Sequence, residues 1–169
     1  LYRMPDPDDM HLEDLFHALR FAFLILTQQK ELYVLHSASF LYRGRAFLVS
    51  GSSGTGKSTH SALWHDLYQT PLLNGDLNLL GIRNSIPYAY GLPCICTPKD
   101  YPLGGIIFLK QAAIDQVQSL QPDEKVLHIL QRMISPAWTK ELLLRNLHFS
   151  EALAPLIFSC RLYCTKEPS

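Results

Sequence analysis

The chain has no apolar stretch long enough to cross a bilayer. Its longest run, Phe21 to Leu26, is closed by Arg20 and Gln28, far short of the roughly 20 residues that a membrane helix needs. It also lacks an excess of either charge. Fifteen Lys and Arg residues balance fifteen Asp and Glu, so no net positive field draws a nucleic acid or an anionic membrane, and neither partner is expected. Cysteine is scarce: the four fall as Cys94-x-Cys96 and Cys160-x-x-x-Cys164, and neither spacing is the C-x-x-C pair of most structural zinc sites. Free thiols are expected, although two strand residues two or four apart share a face and each pair could sit close together. The opening Leu1-Tyr2-Arg3 has no charged start, apolar middle and small-residue cleavage site, so a cytoplasmic protein is expected. A start without Met carries the further expectation of a fragment, or of missing residues before Leu1.

What is present suits an ordinary folded unit. With 169 residues, 47% of them apolar, the chain is expected to form one domain, residues 1–169, with a full core. Acidic candidates for a helix cap run from Asp6 to Asp9. After them Leu12, Leu15, Phe16, Leu19, Phe23 and Leu26 recur at helical spacing, predicting a buried amphipathic helix that ends near Gln28. Tyr33 to Tyr42 is rich in strand formers, and Arg43-Gly44 turns it into Ala46-Phe47-Leu48-Val49, which predicts two antiparallel neighbours. A helix is predicted from Lys57 to about Tyr68, with Leu63, Trp64 and Leu67 as its apolar face. Strands are predicted near Leu72 to Asn74, Leu77 to Ile82, Ile86 to Tyr90, Leu103 to Leu109 and Ile157 to Cys164, the fourth nearly all apolar and so central in its sheet. Pro122 opens a helix carrying Val126, Ile129, Leu130 and Met133, and another starts near Lys140 after the Pro136 break.

The segment Gly51-Ser52-Ser53-Gly54-Thr55-Gly56-Lys57-Ser58 fits G-x-x-x-x-G-K-S, between an apolar strand and a helix. That context gives the pattern its meaning, because a triphosphate needs backbone N–H groups curled around its oxygens, and glycines permit the sharp bends. Lys57 then reaches the terminal phosphates, and the Ser58 hydroxyl at the helix start ligates magnesium, so ATP with Mg2+ is the expected ligand. Ser52, Ser53 and Thr55 are read as small spacers bound through their amides, with Thr59 closing the motif. A magnesium site also wants a carboxylate, and Asp76 in Leu73-Asn74-Gly75-Asp76 lies between two apolar runs. Asn-Gly-Asp equally describes a hairpin connection. On pattern alone, His36 is a hydrogen-bonded core residue.

Taken together, Leu35-His36-Ser37-Ala38, the hairpin, the glycine loop and Asp76 resemble the superfamily of HPr kinase/phosphorylase and ATP-dependent phosphoenolpyruvate carboxykinase, over Tyr33 to Gln111. Tyr90-Gly91-Leu92-Pro93-Cys94 and Tyr101 to Leu109 also resemble small kinase-like members found beside peptide-modification genes, which carry several more Gly and Ser residues after the cysteine. The resemblance implies an α/β fold with a mixed, largely antiparallel sheet, a phosphate loop and flanking helices. It implies that His36 lies at the active site, where in the carboxykinases the matching histidine binds a metal. It also implies that Asp76 matches the second aspartate of an Asp-Asp pair. The first aspartate, the base of the family's protein kinases, is Gly75 here. Carboxykinase chemistry is not expected, because those enzymes add a large N-terminal domain and several arginines for the dicarboxylate.

The expectation is an ATP-dependent phosphotransferase passing the γ-phosphate to a hydroxyl of a peptide, a protein or a small molecule such as serine. Lys57, His36 and Asp76 are its candidate catalytic residues, Gly51 to Thr59 its nucleotide loop, and Ser58, Asp76 and His36 its metal shell, with Mn2+ as an alternative to Mg2+. A nucleotide-sensing module without transfer and a simple nucleotide hydrolase are the competing expectations.

Overall fold

The structure, a computed structural model, describes residues 12–91 and 99–165. The acidic run Asp6 to Asp9 and the Cys94/Cys96 pair lie outside the described residues. The order of elements is α1 Leu12–Gln29, β1 Tyr33–Tyr42, β2 Arg45–Ser50, α2 Lys57–Tyr68, β3 Leu72–Asn74, β4 Leu77–Arg83, β5 Ile86–Tyr90, β6 Tyr101–Gln111, β7 Gln116–Ser119, α3 Pro122–Arg132, α4 Lys140–Leu153 and β8 Phe158–Cys164. No helix among them is long and apolar enough to cross a membrane.

The chain is mixed α/β with a mostly antiparallel sheet: six of the eight strand pairings are antiparallel, and only β2–β6 and β6–β8 are parallel. Two long strands organise it. β1 pairs with β4 through Tyr33 to His36 and with β2 through Ser37 to Tyr42, while β6 pairs with β5 at its start and with β2 and β8 further on. Because β2 meets both β1 and β6, the pairings β2-β1-β4-β5-β6 close into a ring. The Arg43-Gly44 turn matches its sequence reading, both residues having the positive φ that a two-residue hairpin connection demands (49° and 74°).

Helices α3 and α4 cover a core built from Leu35, Leu48, Leu80, Leu103, Ile106 and Ile129, with Tyr33 stacked on Phe149 at 4.2 Å between ring centroids. α2 covers a second cluster, in which Trp64 stacks on Phe40 at 4.9 Å. The apolar face read for α2 is only partly used. Trp64 packs, whereas Leu67 is 71% exposed and Leu63 also reaches solvent. α1 departs further from its expected burial. Its packed side is Leu24, Thr27 and Gln28, leaving Leu15, Phe16, Leu19, Phe23 and Leu26 exposed. Hydrogen bonding fixes that choice, since the Gln28 side-chain amide donates to the Pro136 carbonyl (3.0 Å) and to Asn146 Oδ1 (2.7 Å), anchoring α1 by a polar contact to α4.

Close approach explains one glycine of the central strand. A Cβ on Gly105 would stand 2.6 Å from the Phe158 carbonyl oxygen, backbone of the strand paired with it. Gly105→Ala is therefore expected to lower stability by about 1–3 kcal/mol. Gly75→Ala, with nothing within 4 Å of its Cβ, should stay within about 0.5 kcal/mol of the parent. Urea melts of the two variants check both values.

Candidate functional site

The glycine loop takes the form that its residues dictate. β2 ends at Ser50, α2 begins at Lys57, and between them Gly54 and Gly56 hold φ of 76° and 96°, where a side chain would be strained. At Gly51 the constraint is space, because a Cβ would lie 2.5 Å from Thr55 Oγ1 and 3.1 Å from the Leu109 carbonyl oxygen. Thr55 is more than a spacer. Its hydroxyl donates to the Ser52 carbonyl at 2.8 Å and closes the loop on itself. Lys57 Nζ donates to the carbonyls of Gly51 and Ser52, each at 3.2 Å, so the ammonium sits within the curve of the loop. Burial lowers the Lys57 pKa, Asp76 pulls it back up and Arg132 adds to the lowering. The N-cap of α2 is Gly56, which offers no side-chain bond, and the first turn holds no acidic residue. Its leading N–H groups are thus left for a partner from outside the helix.

Beside the root of this loop lie His36, on β1 itself, and Asp76, on the far side of β1. The register places Ser37 opposite Ser50, and Ser37 N–H donates to the Asp76 carbonyl at 2.9 Å, so the turn after β3 ends beside the loop. His36 Nε2 is 3.0 Å from Asp76 Oδ1. An ionised carboxylate has no proton to give, so Nε2 is the donor. The histidine is only half-buried and its partner is a carboxylate, which removes the core-residue reading left open by pattern alone. Asp76 is both a turn aspartate and a neighbour of the loop. Asn74 Oδ1 accepts from Asp76 N–H at 3.2 Å, and Asn74 Nδ2 donates to the Leu77 carbonyl, clamping the turn that aims the carboxylate.

Beneath the pair runs a buried polar network that the sequence signalled only by one polar residue in an apolar run. Asn78 Nδ2 donates to the Ser37 carbonyl (2.6 Å) and hydroxyl (2.9 Å), Ser39 Oγ donates to Asn78 Oδ1 (2.6 Å), and Ser50 Oγ donates to the His36 carbonyl (2.7 Å). These bonds fix the backbone of His36 to both neighbouring strands. Ser58 and Thr59 are exposed on the first turn of α2.

In shape the chain is similar to a solved HPr kinase/phosphatase. That structure, titled "Structure of the Hpr(Ser) kinase/phosphatase from Coxiella burnetii", matches with a TM-score of 0.43 and 10% sequence identity, covering 78% of this chain and 85% of that one. A likeness of this degree says nothing of chemistry. No protein-family model and no curated protein matches the sequence.

Several residues near the loop carry no signal in the motif. Arg132, in the last turn of α3, donates through Nη2 to Ser52 Oγ at 3.2 Å, and Gln111, at the end of β6, donates to the Gly54 carbonyl at 3.0 Å. Both reach the loop from far along the chain. Cys160 and Cys164 are free, buried thiols whose burial raises their pKa, with Asp115 adding to the effect at Cys164. No group of three or more His, Cys, Asp or Glu side chains suited to a metal occurs among the described residues.

Proposed function

We propose that the chain is an ATP-dependent phosphotransferase with a hydroxyl-bearing acceptor, a peptide, a protein or a small molecule. The observation that supports it most is the position of the His36–Asp76 pair beside the root of a glycine loop that closes around Lys57. In this reading the loop amides and Lys57 bind the β- and γ-phosphates and stabilise the charge of the group in transit. Ser58 and Asp76 hold Mg2+, which neutralises phosphate charge when bound.

His36 orients the Asp76 carboxylate through its Nε2 proton in this reading. The consequence is measurable. His36→Asn should reduce transfer by about 10-fold, equally with Mg2+ and with Mn2+, because an orienting residue acts on Asp76 whichever ion is present. A loss confined to Mn2+ would make His36 a ligand instead.

The reading as a whole is tested with labelled ATP against serine, serine-containing peptides and cell lysate. Label moving to an acceptor supports transfer. Release of phosphate alone supports a hydrolase, and tight binding of nucleotide with neither supports a sensing module. The sensing reading has one observation in its favour, the glycine at position 75 where the resembling kinases carry their base.

A further inference from the structure

The outer face of the glycine loop forms one wall of a cleft of about 250 Å3, and the reading above makes no use of it. From the loop it is bounded by Gly51, Ser52 and Thr55, and opposite by Lys110 of β6, His128 and Arg132 of α3, and Arg161 of β8. The charge there is unbalanced. Arg161 has a carboxylate neighbour, Glu124, at 3.8 Å, but Lys110 and Arg132 have no ion-pair partner among the described residues.

The cleft is also rigidly built. Arg161 Nη1 donates to Gln118 Oε1 at 3.2 Å and to the Tyr163 hydroxyl at 3.3 Å, and that hydroxyl donates to the same Gln118 oxygen at 3.0 Å. Its other terminal nitrogen donates to His128 Nε2. His128 can accept because its pKa is lowered, by burial first and then by the Arg161 cation, with Glu124 opposing and Arg132 adding. The imidazole thus holds the guanidinium in place without adding a charge of its own. Lys110 stays free to move, its Nζ 5.6 Å from the centre of the Tyr163 ring.

A recess with three cations and one partly exposed carboxylate suits oxyanions, and held guanidinium geometry favours carboxylate or phosphate. We propose that this cleft is a second oxyanion site, beside the glycine loop and sharing its wall, which takes a carboxylate or phosphate carried by the phosphoryl acceptor. The proposal rests on the phosphotransferase reading for the word acceptor, but not for the site. Since the cleft shares Gly51, Ser52 and Thr55 with the loop, an acceptor anchored here would have its hydroxyl beside the bound nucleotide, and binding energy from the remote anion would be used for orientation. Neutral acceptors would gain none of it.

The test is calorimetric titration of the full chain with inorganic phosphate and with citrate, in the presence of saturating Mg-ADP. With the loop filled, at least one probe should still bind, phosphate alone indicating a phosphorylated acceptor and citrate alone a carboxylic one. Lys110→Gln, an exposed residue with no hydrogen bond to lose, should weaken that probe about 10-fold and leave Mg-ADP affinity within twofold. Arg161→Gln should weaken it at least as much, with a melting curve to verify its fold. Lys57→Ala should leave probe binding intact. If wild-type protein fails to bind Mg-ADP, the nucleotide reading falls while titration of the nucleotide-free protein still reports on the cleft. Probe binding that is lost in Lys57→Ala yet unchanged in Lys110→Gln would place the anion in the loop and overturn the second site, as would no binding of either probe.

Discussion

Lys57→Ala is expected to weaken Mg-ATP binding about 100-fold, a loss of roughly 2.7 kcal/mol. Lys57 sits inside the curve of the loop, its Nζ on the carbonyls of Gly51 and Ser52, where one ammonium can reach two phosphates at once. Arg132 approaches the same loop but bonds Ser52 Oγ on its exposed side, so it cannot substitute for the lost charge. Truncating one member of a charge pair at a binding interface typically costs about 2–5 kcal/mol, and solvent access to Lys57 keeps the expected loss at the lower end. The two lost bonds to loop carbonyls are single modest terms, so the melting temperature should change little. Calorimetry against Mg-ATP provides the check. Equal affinity in parent and variant would remove the nucleotide-binding loop from the account and the transferase reading with it.

The frame of the site was legible because its signals are local. Three glycines, a lysine and a strand on one side are enough to specify the loop between β2 and α2, and Arg43-Gly44 specifies the hairpin that brings His36 alongside it. Asp76 was legible for a related reason, since Asn74-Gly75-Asp76 has to be a break between strands, and β3 and β4 then both lie along β1. What escaped was set by distance and by burial. Arg132, Lys110 and Arg161 come together through the parallel pairing of β6 with β2 and β8, and no spacing in the sequence encodes that. β7, Gln-Val-Gln-Ser, is a short polar edge strand that pairs with β8 alone and so lacks the alternation by which strands are read. α1 misled because periodicity reports that a face is apolar but not what covers it. In this chain Gln28 and Thr27, polar residues with partners, turn inward instead.

Placing an acid at position 75 should raise the rate of transfer about 100-fold, at the lower end of what a positioned general base contributes. Asp76 is assigned to the metal and holds His36 through its Nε2 proton, which leaves Nδ1 as the one nitrogen of that ring able to accept a proton. Gly75 lies between Asn74 and Asp76 on an exposed turn, with nothing within 4 Å of the position its Cβ would take and no positive φ to forbid a side chain. The turn itself is held by Asn74 rather than by the glycine, so Gly75→Asp should fold as the parent does. The new carboxylate would stand next to Asp76, and like charges at close range raise a carboxyl pKa, which moves a carboxylate toward the strength of a useful base. Mg-ATP affinity should stay near the parent value, because Lys57, Ser58 and the loop amides that bind it in this reading are unchanged. Turnover of labelled ATP into a fixed acceptor, compared between the parent, Gly75→Asp and Gly75→Asn, reads the effect, with the asparagine matching size but not basicity. If neither variant moves label while both bind nucleotide, the loop serves recognition rather than transfer, and glycine at position 75 is what a sensing module would keep.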